Sequence, residues 1–183
     1  MGKKNLIRKK YYFKRKKKYF EITENFFDPL AKLINKKILN KKIKISLFYP
    51  TQNEINVLKI LENNKLRKYQ FSLPVIKEKR LMNFYEWNKG NVLLLNKYGI
   101  PEPIKSKIII PNVILVPLIA YDRNKNRVGY GKGFYDRYLK IHLKKYNKIL
   151  TIGVAFSFQK HHKLPFNSRD VKLDYIITEK GIF

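Results

Sequence analysis

The sequence contains no cysteine, one tryptophan and few acidic residues. Without cysteine, neither a disulfide nor a zinc–thiolate site can form. No apolar run approaches the roughly 18 residues that a membrane-spanning helix needs, so we expect no membrane partner. The basic N-terminus is not followed by an apolar segment or a small-residue cleavage site, which argues against a secretory signal. These absences lead us to expect a soluble, cytoplasmic protein.

The residues that are present indicate a globular chain. Its 183 residues, 44% apolar and 14% aromatic, suffice for a sizeable core and argue against disorder. No internal repeat, linker or compositional break divides the sequence, apart from the basic first twenty residues. We therefore predict a single domain over residues 1–183, with residues 1–20 as a basic N-terminal helix or arm, and we expect a monomer.

The strongest compositional bias is positive charge. The chain has 41 Lys and Arg against 13 Asp and Glu, a net charge of +28. Such an excess suggests nucleic acid or another polyanion as a partner. The lysines are spread along the whole chain, however, and accompany abundant Asn, Ile, Tyr and Phe, a bias that A+T-rich coding would also produce. Nucleic acid is therefore an alternative partner, and we do not expect sequence-specific binding.

Hydrophobic periodicity predicts alternating strands and helices. Short apolar runs indicate strands near 43–49, 69–73, 113–121, 149–156 and 173–177. Apolar residues at helical spacing indicate one helix from Phe27 to Ile38 and another from Tyr135 to Tyr146. Strands that alternate with helices favour a parallel sheet covered on both faces. The sequence thus predicts an α/β three-layer domain with a mainly parallel sheet.

Prolines and polar residues add finer expectations about the element boundaries. Pro74 should close the strand at 69–73, and Pro117 should cause a bulge or an unpaired position in its strand. A helix should begin at Glu54, capped by Thr51 or Asn53, and carry Ile55, Leu58 and Leu61 inward. The aromatic stretch 81–87 should form a strand or hairpin arm.

A glycine loop lies at the centre of the sequence. The apolar run Val113 to Tyr121 ends in a polar turn, and Gly129, Gly131 and Gly133 then open a helical pattern. Alternate glycines let the backbone approach a ligand closely, while the N–H groups that begin a helix attract anions. The loop also brings two cations, Arg127 and Lys132, and a carboxylate, Asp136. This combination suits a nucleotide phosphate with a metal ion.

The glycine spacing matches neither the phosphate-binding loop that ends in Gly-Lys-Ser/Thr nor the dinucleotide fingerprint. A hairpin or helix start without any ligand is therefore an alternative. The longer string R-V-G-Y-G-K-G-F-Y-D-R, preceded by V-P-L-I-A-Y-D, closely resembles the signature of the 5-formyltetrahydrofolate cyclo-ligases, also called methenyltetrahydrofolate synthetases. Y-G-I-P-E-P and the C-terminal R-D-V-K-L-D-Y-I-I-T-E are also similar to that family, so the resemblance spans Lys4 to Thr178.

The resemblance implies a Rossmann-like fold of the ribose-phosphate isomerase and coenzyme A transferase type. It also implies an activity, the ATP-dependent closure of 5-formyltetrahydrofolate to 5,10-methenyltetrahydrofolate with release of ADP and phosphate, assisted by Mg²⁺. The formyl oxygen would be phosphorylated and N10 would then close the ring. Two alternatives stay open: a basic RNA- or ribosome-associated protein without this activity, and a kinase that acts on another small molecule.

Site residues follow from the same resemblance. For ATP it selects residues of the N-terminal helix and of the glycine loop: Lys4, Asn5, Leu6, Ile7, Arg8, the less certain Arg15, Arg127, Val128, Gly129, Tyr130, Gly131, Lys132, Gly133, Phe134 and Tyr135. For the folate it selects Tyr49, Glu54, Tyr130, Gly131, Lys132, Gly133 and Phe134, to which the need of a pteridine for flat walls adds Trp87 or Tyr85, although Trp87 more often belongs to a core.

The metal ligands implied are Asp136 and Asp170, with Asp174 the weaker candidate. Lys132 and Arg127 are the predicted catalytic cations, placed against the phosphoryl oxygens.

Overall fold

An eight-stranded sheet forms the centre of the computed structural model, which describes residues 2–38, 42–78, 81–104, 106–146 and 148–183. Two small two-stranded sheets accompany it. In chain order the strands are β1 (Lys44–Ser46), β2 (Gln70–Ile76), β3 (Met82–Glu86), β4 (Leu93–Leu95), β5 (Pro101–Pro103), β6 (Ile108–Ile109), β7 (Val113–Pro117), β8 (Ala120–Tyr121), β9 (Arg127–Val128), β10 (Leu150–Val154), β11 (Tyr175–Thr178) and β12 (Gly181–Ile182).

The large sheet is parallel in its middle and antiparallel at its edges. Its strand order is β12-β11-β10-β7-β1-β2-β3-β6. The five strands from β11 to β2 pair in parallel, whereas β12, β3 and β6 pair antiparallel. The predicted α/β class with a mainly parallel sheet is confirmed. The smaller sheets are the hairpins β4–β5 and β8–β9.

Three α-helices surround the sheet: α1 (Lys3–Lys18), α2 (Asp28–Lys37) and α3 (Phe134–Lys145). Shorter 3₁₀ helices occupy Glu24–Phe27, Val57–Glu62 and Ser157–Gln159. The sequence explains α2 well, because an acidic residue and a proline begin it and two lysines end it. Within the described ranges, no helix has both the length and the apolar character to cross a lipid bilayer.

The two faces of the sheet bury different clusters. Along β7, Val113 and Leu115 belong to the cluster that includes α2 residues, while Ile114 and Val116 belong to the cluster that includes α3 residues. Alternate side chains of a strand point to opposite faces, so β7 is covered on both sides. This alternation gives the three layers that the sequence predicted.

The N-terminal segment is an ordered helix packed on the β8–β9 hairpin. Although α1 is highly basic, it buries Ile7, Tyr11 and Arg15 at intervals of four residues. Ile7 and Tyr11 pack with Ile119 and Val128, and the Tyr11 hydroxyl donates to the Lys160 carbonyl (2.8 Å). This one buried stripe fixes the orientation of the whole helix.

Two predictions about boundaries were wrong. Pro74 does not end its strand but lies inside β2, where it faces Phe84 of β3. Because β1 pairs with β2 only as far as Ser72, Pro74 needs no N–H donor on that side. The second wrong prediction is the bulge or unpaired position at Pro117. Pro117 is the last residue of β7 and pairs in register with Val154 of β10.

The predicted α-helix from Glu54 is a 3₁₀ helix, Val57–Glu62, that begins three residues later. Its N-cap is Asn56, whose side-chain oxygen accepts from the Leu58 amide (3.2 Å), and not Thr51 or Asn53. Its buried residues are Val57 and Ile60, while Leu58 and Leu61 are only partly buried. Glu54 therefore lies in a loop.

Candidate active site

A cavity of about 890 Å³ opens at the carboxyl ends of the parallel strands. Pro117 at the end of β7, Ile76 at the end of β2 and Tyr49 just after β1 all line it. This is where ligands bind in open α/β sheets. Other parts of the walls come from the start of α1, the glycine loop 129–133 with the start of α3, the β4–β5 hairpin, the loop after β1 and the loop 167–170.

The glycine loop is held against α1 by Arg8. The Arg8 Nε donates to the Gly129 carbonyl (2.8 Å). Gly131 and Gly133 have positive φ angles of 96° and 70°, a region that disfavours side chains. A Cβ on Gly131 would lie 3.3 Å from Arg8 Cζ. The left-handed turn and the close approach of the arginine both favour glycine at this position.

Lys132 faces the cavity between those two glycines. Its ammonium lies 5.6 Å from the centre of the Tyr98 ring, and Tyr98 makes an edge-to-face contact with Phe134, with centroids 6.2 Å apart. None of the ion pairs among the described residues involves Lys132. The lysine is therefore an exposed cation beside the N-terminus of α3, a position that favours a bound anion.

Arg127 is buried and anchors the metal candidate Asp136. Its Nη2 donates to Asp136 Oδ1 (2.8 Å) and its Nη1 to the Val171 carbonyl (2.7 Å). Asp136 Oδ1 also accepts from the Val171 amide (3.2 Å). Both terminal nitrogens of Arg127 thus have protein partners, so the geometry supports a role in holding Asp136 and residue 171 in place.

Asp170 forms an ion pair with the start of α1. The Lys4 ammonium contacts both carboxylate oxygens, at 2.6 and 2.5 Å, and the Asn167 amide donates to Asp170 Oδ2 (2.8 Å). The weaker candidate, Asp174, instead accepts from the amide and hydroxyl of Thr151. Asp174 is absent from the described cavity lining, so the choice of Asp170 over Asp174 agrees with the geometry.

Glu54 also lines the cavity, in a partly buried polar group that includes Tyr130 of the glycine loop. It is only 7% exposed, and its Oε2 accepts from the Thr51 amide (2.9 Å) and hydroxyl (3.1 Å). The Tyr130 hydroxyl donates to Glu54 Oε1 (2.6 Å), and Arg15 Nη2 donates to the same hydroxyl oxygen (2.8 Å). Positive φ angles at Gln52 (50°) and Asn53 (60°) form the turn that places Glu54 there.

Burial dominates the electrostatics of this group. It raises the pKa of Glu54 above its ordinary value, against the opposing effect of the Arg15 charge and the hydrogen bonds. Burial, followed by the nearby Glu54 charge, raises the pKa of Tyr130 well above its usual range. A buried carboxyl with a perturbed pKa beside a cavity is a typical feature of a functional site.

Most predicted site residues line one cavity, but several do not. Leu6 is 55% exposed, Ile7 is buried against β8–β9, and the Asn5 side chain accepts from Arg8. Trp87 packs in the core, where its indole N–H donates to the Asn91 carbonyl (3.3 Å). Because Trp87 and its neighbour Tyr85 are absent from the described lining, the proposal that either contacts the substrate is withdrawn.

The sequence reasoning missed the β4–β5 hairpin as a wall of the cavity. Residues 98–102 of its turn and second strand line the site, as does Met82. The stretch Y-G-I-P-E-P resembles the family, but the resemblance predicts no role for its tyrosine, Tyr98. An aromatic residue in a Gly-Pro-rich turn was the available signal.

Taken together, the mainly parallel sheet, the glycine loop at a helix N-terminus and the carboxylates that line the same cavity define an α/β protein with a ligand-sized cavity at the carboxyl ends of its strands. Comparison with known proteins then identifies the family. Residues 2–179 match the model of the 5-formyltetrahydrofolate cyclo-ligase family, and the chain therefore belongs to that family.

Individual relatives agree with this assignment. The chain is 30% identical to the 5-formyltetrahydrofolate cyclo-ligase of Mycoplasma genitalium over 95% of this chain and 96% of that protein. It is 28% identical to the Haemophilus influenzae protein of the same name over 73% and 74% of the two chains. These comparisons give no support to the alternative of an RNA- or ribosome-associated protein.

Solved structures show the same fold. The NMR structure of the Aquifex aeolicus 5,10-methenyltetrahydrofolate synthetase superposes with a TM-score of 0.73 at 29% identity, covering 98% of this chain and 91% of that one. The Mycoplasma pneumoniae synthetase has the same TM-score at 24% identity, covering 97% and 99%. The predicted Rossmann-like class is thereby confirmed, and its likeness to the ribose-phosphate isomerase type stays a prediction.

Proposed function

We propose that this protein closes 5-formyltetrahydrofolate to 5,10-methenyltetrahydrofolate at the expense of ATP. The observation that supports it most directly is that one cavity joins a phosphate-binding loop to a buried carboxylate. Lys4, Arg8 and Lys132 supply positive charge, and Glu54 lines the same cavity. Family membership, established above, selects the folate and ATP as the two ligands.

The chemistry needs an activated formyl group, because a formamide oxygen is a poor leaving group. The formyl oxygen attacks the γ-phosphorus, and the bond from that phosphorus to ADP breaks. N10 then adds to the formyl carbon and loses its proton, and the carbon–oxygen bond breaks to release phosphate. These steps need no covalent enzyme intermediate. The absence of cysteine from the chain is consistent with such a mechanism.

Catalysis of this kind is mostly positioning and charge stabilisation. The free N–H groups at the start of α3 and the Lys132 ammonium would bind the γ-phosphoryl oxygens. Lys4 and Arg8 would bind the remaining phosphates from α1. Arg127 stays a candidate for the same role, but its two hydrogen-bonded nitrogens favour holding Asp136 in place.

The residues present fit Mg²⁺ carried in with the nucleotide. Among the described residues no group of three or more His, Cys, Asp or Glu could hold a metal by itself. Mg²⁺ usually binds through one or two carboxylates together with substrate phosphates and water, and Asp136 and Asp170 line the same cavity. Those two carboxylates would hold the ion, which would neutralise charge on the phosphates.

The folate would occupy the side of the cavity formed by Tyr49, Glu54 and the β4–β5 hairpin. The Glu54 carboxylate can accept N–H groups of a pterin ring, and the Tyr98 ring offers a flat apolar wall. Both lie on the lining of the same cavity as Lys132.

We keep the expectations of a monomer and of a cytoplasmic location with this proposal.

The test is to mix the purified protein with 5-formyltetrahydrofolate, ATP and Mg²⁺ and follow the methenyl chromophore together with ADP. Formation of both in equal amounts is the expected result. ADP without the chromophore would mean phosphoryl transfer without ring closure, which would favour the kinase alternative that shares the glycine loop. Omitting each component in turn is the control for background hydrolysis.

A further inference from the structure

A partly buried chain of polar groups links α1 to Glu54. Arg15 Nη2 donates to the Tyr130 hydroxyl, which donates in turn to Glu54 Oε1, at 2.8 and 2.6 Å. The three residues come from a helix, the glycine loop and the loop after β1. Their polar ends meet only in the folded protein.

Arg15 does not share the environment of the other basic residues of α1. Lys4 and Arg8 line the cavity, whereas Arg15 is absent from its described lining and only 1% exposed. Its guanidinium lies 5.7 Å from the centre of the Tyr130 ring. The Nε of Arg15 has no hydrogen-bond partner among the described residues. A side chain buried in this way is badly placed to contact a nucleotide phosphate.

We propose that Arg15 is a positioning residue for the folate site, acting through Tyr130 on Glu54, and not an ATP ligand. This inference rests on the proposed function, because it assigns Glu54 to the folate. Each carboxylate oxygen of Glu54 has its own anchor: Thr51 holds Oε2 and Tyr130 holds Oε1. Arg15 fixes the second anchor and supplies the counter-charge.

The counter-charge matters because Glu54 is buried. A carboxylate removed from water tends to protonate unless a cation is near, and a protonated carboxyl loses acceptor capacity toward substrate N–H groups. The charged and titratable groups that act on Glu54 are Arg15 and Tyr130, and Tyr135 lies within electrostatic range. Arg15 is the cation among them that lowers the pKa of Glu54.

The test compares Arg15→Met and Tyr130→Phe with the wild-type protein by calorimetry, titrating 5-formyltetrahydrofolate alone and Mg·ATP alone. We expect both variants to raise the Kd for the folate about tenfold, as for the loss of a charge-assisted hydrogen bond, while Arg15→Met leaves the Kd for Mg·ATP within about twofold. In Arg15→Met the acid limb of folate binding should also move to higher pH. Arg15→Lys, which keeps the charge, should restore that limb.

Tyr121→Phe is the matched control. Tyr121 is buried, its hydroxyl donates to the Ser157 carbonyl (3.3 Å), and it is not among the described residues that line the cavity. It should leave both Kd values unchanged.

The outcomes separate the two proposals. An increase in the Kd for Mg·ATP without a change for the folate, in Arg15→Met, would make Arg15 an ATP ligand and overturn the inference. If Arg15→Met does not fold, Tyr130→Phe removes a single oxygen, and an unchanged folate Kd in that variant overturns the inference equally. A wild-type protein that forms no methenyl product defeats the proposed function instead.

Discussion

At the scale of single residues, Lys132 combines a chemical argument with a structural one. Its ammonium has no carboxylate among the ion pairs of the described residues and rests over the Tyr98 ring. It also lies beside the N-terminus of α3, where a cation is unfavourable unless an anion binds. On the family resemblance and this position, we propose that Lys132 is a phosphate ligand.

We predict that Lys132→Ala lowers the turnover number by roughly 10²–10³, as for the loss of one preorganised charge-stabilising donor. The effect on ATP affinity should be smaller, because negative charge on the phosphoryl oxygens and the leaving ADP develops during transfer. Steady-state kinetics at saturating ATP measures this. Lys68→Ala is the control, since Lys68 lies over the Tyr69 ring in the same way (5.5 Å) but outside the described lining. Equal turnover in Lys132→Ala and wild type would falsify the assignment.

Glu54 shows what the sequence could not reveal. The sequence predicts a carboxylate at a helix start, whose loss would cost at most about 1 kcal/mol. The structure gives it a different environment. Its partner Tyr130 is 76 residues away in sequence, and Arg15, which donates to the Tyr130 hydroxyl, lies in α1. Such a contact between distant segments leaves no local pattern to read.

A pH-dependent prediction follows for Glu54. Because burial raises its folded-state pKa above the ordinary 4.5, the folded state binds the proton more tightly than the unfolded state. The contribution of Glu54 to stability therefore falls as pH rises above 4.5, and it levels off above the raised pKa. We predict that the unfolding free energy of wild type relative to Glu54→Gln decreases across that window. Denaturant titrations at a series of pH values measure it.

At neutral pH, Glu54→Gln removes a buried charge and weakens hydrogen bonds from Thr51 or Tyr130. The net change in stability should stay within about 1.5 kcal/mol, whereas folate affinity should fall strongly. A large loss of stability with normal folate affinity would make Glu54 a purely structural residue.

At the scale of elements, two positions of the glycine loop, Gly129 and Gly131, can be compared for their tolerance of a side chain. Gly131 has a φ of 96°, and a Cβ there would lie 3.3 Å from Arg8 Cζ. Gly129 has no positive φ, and a Cβ there would meet nothing within 4 Å. We predict that Gly131→Ala destabilises the protein by about 1 kcal/mol or more and raises the Kd for ATP, because Arg8 must move. Gly129→Ala should change the unfolding free energy by less than about 0.5 kcal/mol.

Thermal and denaturant unfolding of the two variants decides the matter. Equal stability of Gly131→Ala and Gly129→Ala would mean that the loop has no fixed conformation in the free protein. The Kd of each variant for ATP, measured by calorimetry, then shows whether the Arg8 contact shapes the nucleotide site.

The elements that the sequence predicted well are those with a long, unambiguous period. The parallel strands β7 and β10 and helix α3 belong to this group. The prediction for the segment 54–62 was wrong because its apolar residues fit an α-helix, whereas the structure has a turn at Gln52 and Asn53 and then a 3₁₀ helix from Val57. The β4–β5 hairpin was missed because its strands have only three residues each, too few to show alternation.

At the scale of the whole molecule, the sheet decides which parts of the chain meet. Tyr49, Ile76 and Pro117 follow or end three neighbouring strands, β1, β2 and β7, so the parallel arrangement alone places them at one edge. This part of the site was predictable from the fold class. The docking of α1, which brings Lys4 to Asp170, was not predictable from the fold class. It depends on the buried stripe of Ile7 and Tyr11.

The net charge of +28 is a property of the whole surface. With 41 basic side chains and 13 acidic ones, most cations have no carboxylate to pair with, and their mutual repulsion disfavours the compact state. Salt weakens that repulsion, because the Debye length falls from about 30 Å at 0.01 M to about 8 Å at 0.15 M. We therefore predict that the melting temperature rises over this range of NaCl concentration, which scanning calorimetry measures.

The same charge should not form a specific nucleic-acid site. If it reflects composition, RNA binds weakly and without sequence preference, and its affinity falls steeply with salt. We predict Kd values above about 1 μM at physiological salt, similar for RNAs of unrelated sequence. Fluorescence anisotropy with several labelled RNAs across a salt series measures these Kd values. Methenyl formation in the same buffers is the internal control, because turnover of a small folate should respond less to salt. Sub-micromolar binding with preference for one sequence would contradict the prediction and give the lysines a function of their own.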